Sequence, residues 1–300
     1  MLKVFLEVVL PVALVAIAGG LVGRWRNVPV APFSSMVFYL FSPSLVFHSM
    51  ATTQVSASTS VRVIAVMAAT FAVMYLFATV WSKIIGHDAP MRAAFALGAT
   101  TPNAGNMGLP VAQLAFGSAG LDIAIMNFVV GATLSNTLGI AIASMAGGSA
   151  KAALRAPFRY PSLYAAGAGL LVNATGVHLP VTIDAPITSL AAAAVPAMLV
   201  VLGLQLQSAI GRDFIVDTIG VNAGRLLIAP VIAWFVCTAV GLDGVSRATL
   251  TVLSAMPTAV IATIMATEFR AVPTFVTRTV VTSTLLSMAT LTVLITIVRS

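Results

Sequence analysis

The chain has 300 residues, of which 59% are hydrophobic and 8% charged, with a mean hydropathy of +1.06. Soluble domains are about a quarter charged, so a soluble enzyme or binding module is excluded and the chain reads as an integral membrane protein. Lysine and arginine total 15 against 8 acids, a net charge of +7, but these charges lie between apolar runs, where they set topology against anionic lipid and give no reason to expect a nucleic-acid partner.

Ten spanning segments are predicted, at roughly 4–22, 33–53, 62–82, 93–116, 120–144, 160–177, 187–207, 220–240, 248–268 and 275–297. Most approach the ~20 residues that cross a ~30 Å hydrocarbon core. Glu7 in the early turns of the first segment, and Arg24 and Arg26 after it, mark a retained helix rather than a cleaved leader. The longest polar link, 146–159, carries Lys151, Arg155 and Arg159 and separates a first set of five helices (1–145) from a second (160–300). With the N-terminus outside, the inner loops hold eleven basic residues: Arg24, Arg26, Lys83, Arg92, Lys151, Arg155, Arg159, Arg212, Arg225, Arg270 and Arg278. The outer side holds Lys3, Arg62, Arg247 and Arg299. The excess predicts a multi-pass cell-membrane protein with both termini outside and the 146–159 link in the cytoplasm. The single cysteine, Cys237, excludes an intramolecular disulfide, and no zinc spacing exists.

The two halves resemble each other. Gly86, Asp88, Arg92, Ala93, Pro102 and Ala104 recur, at a constant separation of 155 residues, as Gly241, Asp243, Arg247, Ala248, Pro257 and Ala259, and Gln113 pairs with Glu268 in the same register. Pro43 and Gln54 recur as Pro196 and Gln207, and Pro29 as Pro180. An odd number of helices per repeat inserts the second half upside down, the plan of secondary transporters in which paired interrupted helices mark a site near the midplane. The expected fold is therefore an all-α membrane protein of two inverted five-helix repeats, with helices four and nine broken and crossing.

Thr100 to Pro110 reads Thr-Thr-Pro-Asn-Ala-Gly-Asn-Met-Gly-Leu-Pro inside an otherwise apolar span. Prolines remove hydrogen bonds, glycines loosen the backbone, and asparagines need polar partners, so the helix should break where protein or a watery cavity receives it. With a matching break at Pro257, second-half helix N-termini near Ala104 and Thr258 would aim free N–H groups at the crossing, a field suited to a carboxylate. Pro102, Asn103, Gly105, Asn106, Pro257 and Thr258 form the expected binding site, completed by Ser42 or Ser44 beside Pro43. The first-half C-termini near Thr100 and Ala255 present carbonyls suited to sodium or a hydronium-like donor. A pair of plain proline kinks is the competing reading.

Asn127, Ser135 and Asn136 in the fifth helix and Thr279, Thr282 and Ser283 in the tenth are cavity-lining candidates, although small polar residues also serve ordinary helix packing. His48, Gln113, Glu268 and Glu7 are the candidates for coupling, with H+ or Na+ left open as the ion. No cofactor or resident metal is expected. The absence of Gly-x-Ser-x-Gly, His-Glu-x-x-His and phosphate-loop motifs argues against an enzyme. The alanine- and glycine-rich runs 165–169 and 191–194 read as close helix-packing surfaces.

Phe38-Tyr-Leu-Phe-Ser-Pro-Ser-Leu-Val-Phe, Thr101-Pro-Asn-Ala-Gly-Asn-Met-Gly-Leu-Pro and Ala255-Met-Pro-Thr-Ala resemble the auxin efflux carrier family, including its bacterial malate and malonate permease-like members. The resemblance covers essentially the whole chain and implies the inverted five-plus-five fold shared with bile-acid/sodium symporters. It further implies small organic anions as substrates and elevator-like movement of a transport part (62–144 and 220–297) against a scaffold (4–53 and 160–207) that often forms the contact of a homodimer. By motif match, Asn103 and Asn106 become ligand contacts beside Pro102, with Pro257 at the second crossover. A sodium-coupled symporter of bile-acid type and a non-transporting membrane sensor or scaffold are the alternatives.

Overall fold

The computed structural model describes residues 1–53, 55–144, 161–205 and 214–299, and of 132, 133, 135–141, 143 and 144 the backbone alone. Lys151, Arg155, Arg159, Arg212, Gln54 and Gln207, and the side chains of Ser135 and Asn136, lie outside the described residues. Twelve helices are described: α1 Leu2–Arg26, α2 Val30–Thr52, α3 Ala57–Ile85, α4 Ala89–Thr100, α5 104–116, α6 118–144, α7 Pro161–Thr175, α8 Val181–Gln205, α9 Ile215–Ala239, α10 Gly244–Ser254, α11 Val260–Glu268 and α12 Pro273–Arg299. The protein is all-helical; the one extended pairing among the described residues is an antiparallel bridge between Pro102 and Thr258.

Among the described residues, seven helical stretches are long and apolar enough to cross a membrane. One of them, Ala104–Gly131, contains Gly117, whose φ of 66° and ψ of −156° are not helical. The chain doubles back there. A Cβ on Gly105 would come within 2.9 Å of the Phe128 ring, whereas the roughly 23 residues between them would span about 34 Å of straight helix. Only a residue without Cβ adopts that backbone at little cost, which is why glycine makes the turn between α5 and α6.

The residues that match between the halves do matching local work. Asp88 stands at the N-cap of α4, accepting from the Met91 amide at 3.0 Å, and Asp243 stands at the N-cap of α10. Gly86 and Gly241, two residues before each cap, both take positive φ. After one further helix each chain segment leaves helical geometry at its proline, over 101–103 and 255–259.

The largest contacts fall into two sets, around α1, α2, α7 and α8 on one side and α3, α4 and α9–α12 on the other, with α5 and α6 packed against both sets. α1 lies against α8, and α2 against α7 and α8. These approaches are very close: a Cβ on Gly203 would sit 1.7 Å from the Ala16 carbonyl oxygen, and one on Gly169 would sit 2.6 Å from that of Phe47. Without a hydrophobic force between helices in lipid, such backbone proximity is what holds them. In the other set α3 lies against α4 and α9, α9 against α10, and α11 against α12. Gly220 and Gly224, one turn apart, receive the Trp81 and Phe77 rings of α3. Phe95 stacks between Trp81 and Phe275 at centroid distances of 5.7 and 6.3 Å, joining α3, α4 and α12. At the end of α3, His87 Nε2 lies 3.0 Å from Asp217 Oδ1 of α9.

Candidate functional site

The two extended segments clasp each other. The Asn103 amide donates to the Pro257 carbonyl at 2.7 Å, and the Ala259 amide to that of Thr101 at 2.9 Å. Prolines at 102 and 257 suit this arrangement, because a residue with no N–H gives up nothing in a ladder of only two bonds. Thr258 locks it: its hydroxyl donates to the Gly98 carbonyl at 2.8 Å and its amide to Ser283 Oγ at 3.1 Å. Four helix ends thus converge, with the C-termini of α4 and α10 and the N-termini of α5 and α11 at one junction.

At the C-terminal ends stands Arg225 of α9, 2% exposed. Its Nη1 donates to the Ala99 carbonyl at 3.3 Å, Nη2 to Ser254 at 2.8 Å and Met256 at 3.1 Å, and Nε to Met256 at 3.3 Å. A buried guanidinium ordinarily needs a carboxylate. Here two helix C-termini, each carrying about half a negative charge, supply roughly one unit between them. The local helix explains the placement. Residues Gly224–Ile228 form a wider, π-type turn, and Gly224 draws α9 onto Phe77 and Met74 of α3, leaving Arg225 directed inward.

On the other side of the junction lies a cleft of about 370 Å³. It is lined by Ser42 and neighbouring residues of α2, by 101–106, by Phe128 and Gly131 of α6, by Met198, Val201 and Gln205 of α8, and by Ala259 and the first turns of α11, with no charged side chain among them. Two first-turn amides are taken up locally, that of Ala104 in α5 by the Pro102 carbonyl at 2.8 Å and that of Ala262 in α11 by the Ala259 carbonyl at 3.0 Å, while helix starts in general leave amides without a helical acceptor. Thr101 Oγ1 is buried without a partner and belongs to the same lining. Asn106 Nδ2 donates to Gln205 Oε1 at 3.4 Å, joining α5 to α8.

Of the expected binding residues, Pro102, Asn103, Gly105, Asn106 and Ser42 come together in this cleft. Pro257 lies in the clasp behind them. Thr258 was expected to add a donor at a helix N-terminus, but α11 begins at Val260, so Thr258 is still in the extended segment, fully buried, with its hydroxyl and amide both given to protein acceptors. Ser44 turns its hydroxyl back to the Leu40 carbonyl at 2.8 Å and does not line the cleft. Asn127 lies on the Arg225 side, with Thr100, Pro102 and Ser254 around a small cavity of about 50 Å³. Thr282 accepts from Asn222 Nδ2 at 3.1 Å.

The coupling candidates are elsewhere. His48 Nδ1 faces Thr188 Oγ1 of α8 at 3.4 Å, and Gln113, Glu268 and Glu7 lie on the surface. Sequence reasoning missed Arg225, Gln205 and Thr101. Arg225 had been counted as an inner-loop charge, because the eighth segment was predicted to begin at 220. The helix begins at Ile215, which places Arg225 about ten residues, or roughly 15 Å, along it. Gln205 was legible as a polar residue closing an apolar run, and Thr101 as part of the motif itself.

A multi-pass helical protein with a largely apolar cleft, set with a few polar side chains where two helix pairs stop and restart, is built as a membrane transporter. The chain belongs to the family described as membrane transport protein, the auxin efflux carrier-like family, whose model matches residues 4–295. It is 30% identical over 252 residues to an uncharacterized transporter of Methanothermobacter thermautotrophicus, a match that covers 83% of this chain and 82% of that protein.

Proposed function

We propose that the protein is a secondary carrier of small organic anions, mono- or dicarboxylates, which it binds where two interrupted helices cross. In this reading α4–α5 and α10–α11 are the fourth and ninth passages of ten, arranged as two inverted five-helix repeats. The observation that carries it is the cleft itself: the starts of α5 and α11, together with Asn103, Asn106 and Thr101, line one space with no charged side chain among its described lining residues. Backbone amides and helix N-termini favour negative charge, and among the described residues no acid lines the cleft to repel a carboxylate.

The two packing sets support an elevator-type mechanism, in which α3–α6 and α9–α12 move against α1, α2, α7 and α8. Solute is then carried on one set while the other stays fixed, and the cleft between them is where exposure alternates. The exposed apolar faces of α1 and α7, including Leu14, Leu21 and Leu171, are surfaces for lipid or for a second copy in a homodimer. The protein would reside in the cell membrane with both termini outside.

A thermal-shift screen of small carboxylates against purified protein tests the binding half of this reading, because a ligand that binds only the folded state raises its apparent stability. At least one carboxylate should raise the melting temperature in a concentration-dependent way, and Asn103→Ala should abolish most of that rise. A flat response to the whole panel, or a rise indifferent to Asn103→Ala, would contradict it.

A further inference from the structure

We infer that Arg225 is a tethered cation that fills the carbonyl half of the crossing, and that its charge, in place of an inorganic coupling ion's, balances an anion held in the cleft. The inference rests on the anion-carrier reading for the identity of the bound charge, but the geometry of Arg225 stands without it. The carbonyls of Ala99, Ser254 and Met256 all accept from one guanidinium. They are the oxygens that a cation would need at the ends of α4 and α10. A sodium ion there would have to share acceptors with a fixed positive charge and would be repelled by it.

Three further observations separate this from ordinary packing. Among the described residues Arg225 is bonded to carbonyl oxygens and shows no ion pair with a carboxylate. Among the described residues the guanidinium therefore faces carbonyl dipoles and no side-chain anion, so its field is not cancelled by a fixed carboxylate and reaches an anion bound across the junction. Arginine is the side-chain cation least ready to give up its proton, which suits a fixed charge better than a proton carrier. The same clasp that Arg225 caps from behind also fixes Asn103 and Ala259 at the cleft, through the bonds to Pro257 and Thr101. Arg225 is thus a positioning residue: it acts on the ligand through the four helix ends and by its field, without touching the cleft, whose lining it does not join.

The test compares wild type, Arg225→Ala, Arg225→Gln and Arg225→Lys as purified full-length proteins, in sodium and in choline chloride at equal ionic strength, with and without millimolar methylguanidinium. Wild type should bind a carboxylate equally well in sodium and choline. Arg225→Gln should weaken that binding at least about tenfold, equivalent to about 1.4 kcal/mol, whereas Arg225→Lys should retain most of it. Arg225→Ala should melt several degrees lower, and methylguanidinium should restore part of the loss where choline does not, a readout that needs no substrate. Sodium-dependent binding by wild type, equal binding by Arg225→Gln and wild type, or a melting temperature of Arg225→Ala indifferent to methylguanidinium would each overturn the inference. If no carboxylate binds wild type, the anion-carrier reading fails by itself, and the methylguanidinium response alone decides whether Arg225 fills a cation site.

Discussion

Asn103 does two things that mutation can separate. Its amide closes the clasp to Pro257, and any residue but proline keeps that bond; its side chain lines the cleft. Asn103→Ala should therefore weaken carboxylate binding about tenfold, the size of one charge-assisted hydrogen bond, measured by titration calorimetry. Its melting temperature should stay close to that of wild type. Thr258→Val should do the reverse, losing the bond to the Gly98 carbonyl and costing about 1 kcal/mol of stability in a denaturation series, with carboxylate affinity little changed. The contrast shows what the sequence made legible. Asn103 and Asn106 stood out because polar side chains in an apolar span must find partners. The fate of Thr258 depended on whether helix resumes at 258 or at 260, a matter of two residues that pattern does not resolve.

Among the elements, α8 and α9 are set by glycine. Gly203 faces the Ala16 carbonyl at a distance that leaves no room for a methyl group, and backbone cannot move aside as a side chain can. Gly203→Ala should destabilise the protein by about 3 kcal/mol, read as a lowered midpoint in a detergent or heat denaturation series. Small residues as packing surfaces were legible from composition, since runs such as 165–169 have few other uses inside lipid. The turn at Gly117 also fell between two predicted segments, where Gly-Ser-Ala-Gly interrupts the apolar pattern. Arg225 was not legible. A charge ten residues into a helix looks like a boundary when the helix start is misplaced by one turn, and the partners that reveal its role come from α4 and from the end of α10, far away in sequence.

For the whole molecule, the repeat carried the inference, because Gly, Asp, Arg and Pro recurring in one register pointed to paired breaks before any geometry was known. The cleft between the two packing sets could not be read in that way, since it depends on how α8 meets α5. The Asn106–Gln205 contact joins α5, on the moving side of the proposed elevator, to α8 on its fixed side. In an elevator it must break on every cycle. Joining Asn106→Cys to Gln205→Cys with a short bifunctional thiol reagent, on a Cys237→Ala background, should stop the solute movement that the same variant shows before linkage. Unchanged movement after complete linkage would remove the elevator from the account. The central claim, that this is a carrier of small organic anions, is tested most directly by counterflow in proteoliposomes loaded with unlabelled carboxylates. The account predicts transient, saturable accumulation of labelled carboxylate, with Asn103→Ala raising the half-saturating concentration about tenfold. Contradiction would be the absence of movement for every carboxylate in a broad panel, or a flux that rises linearly without saturation.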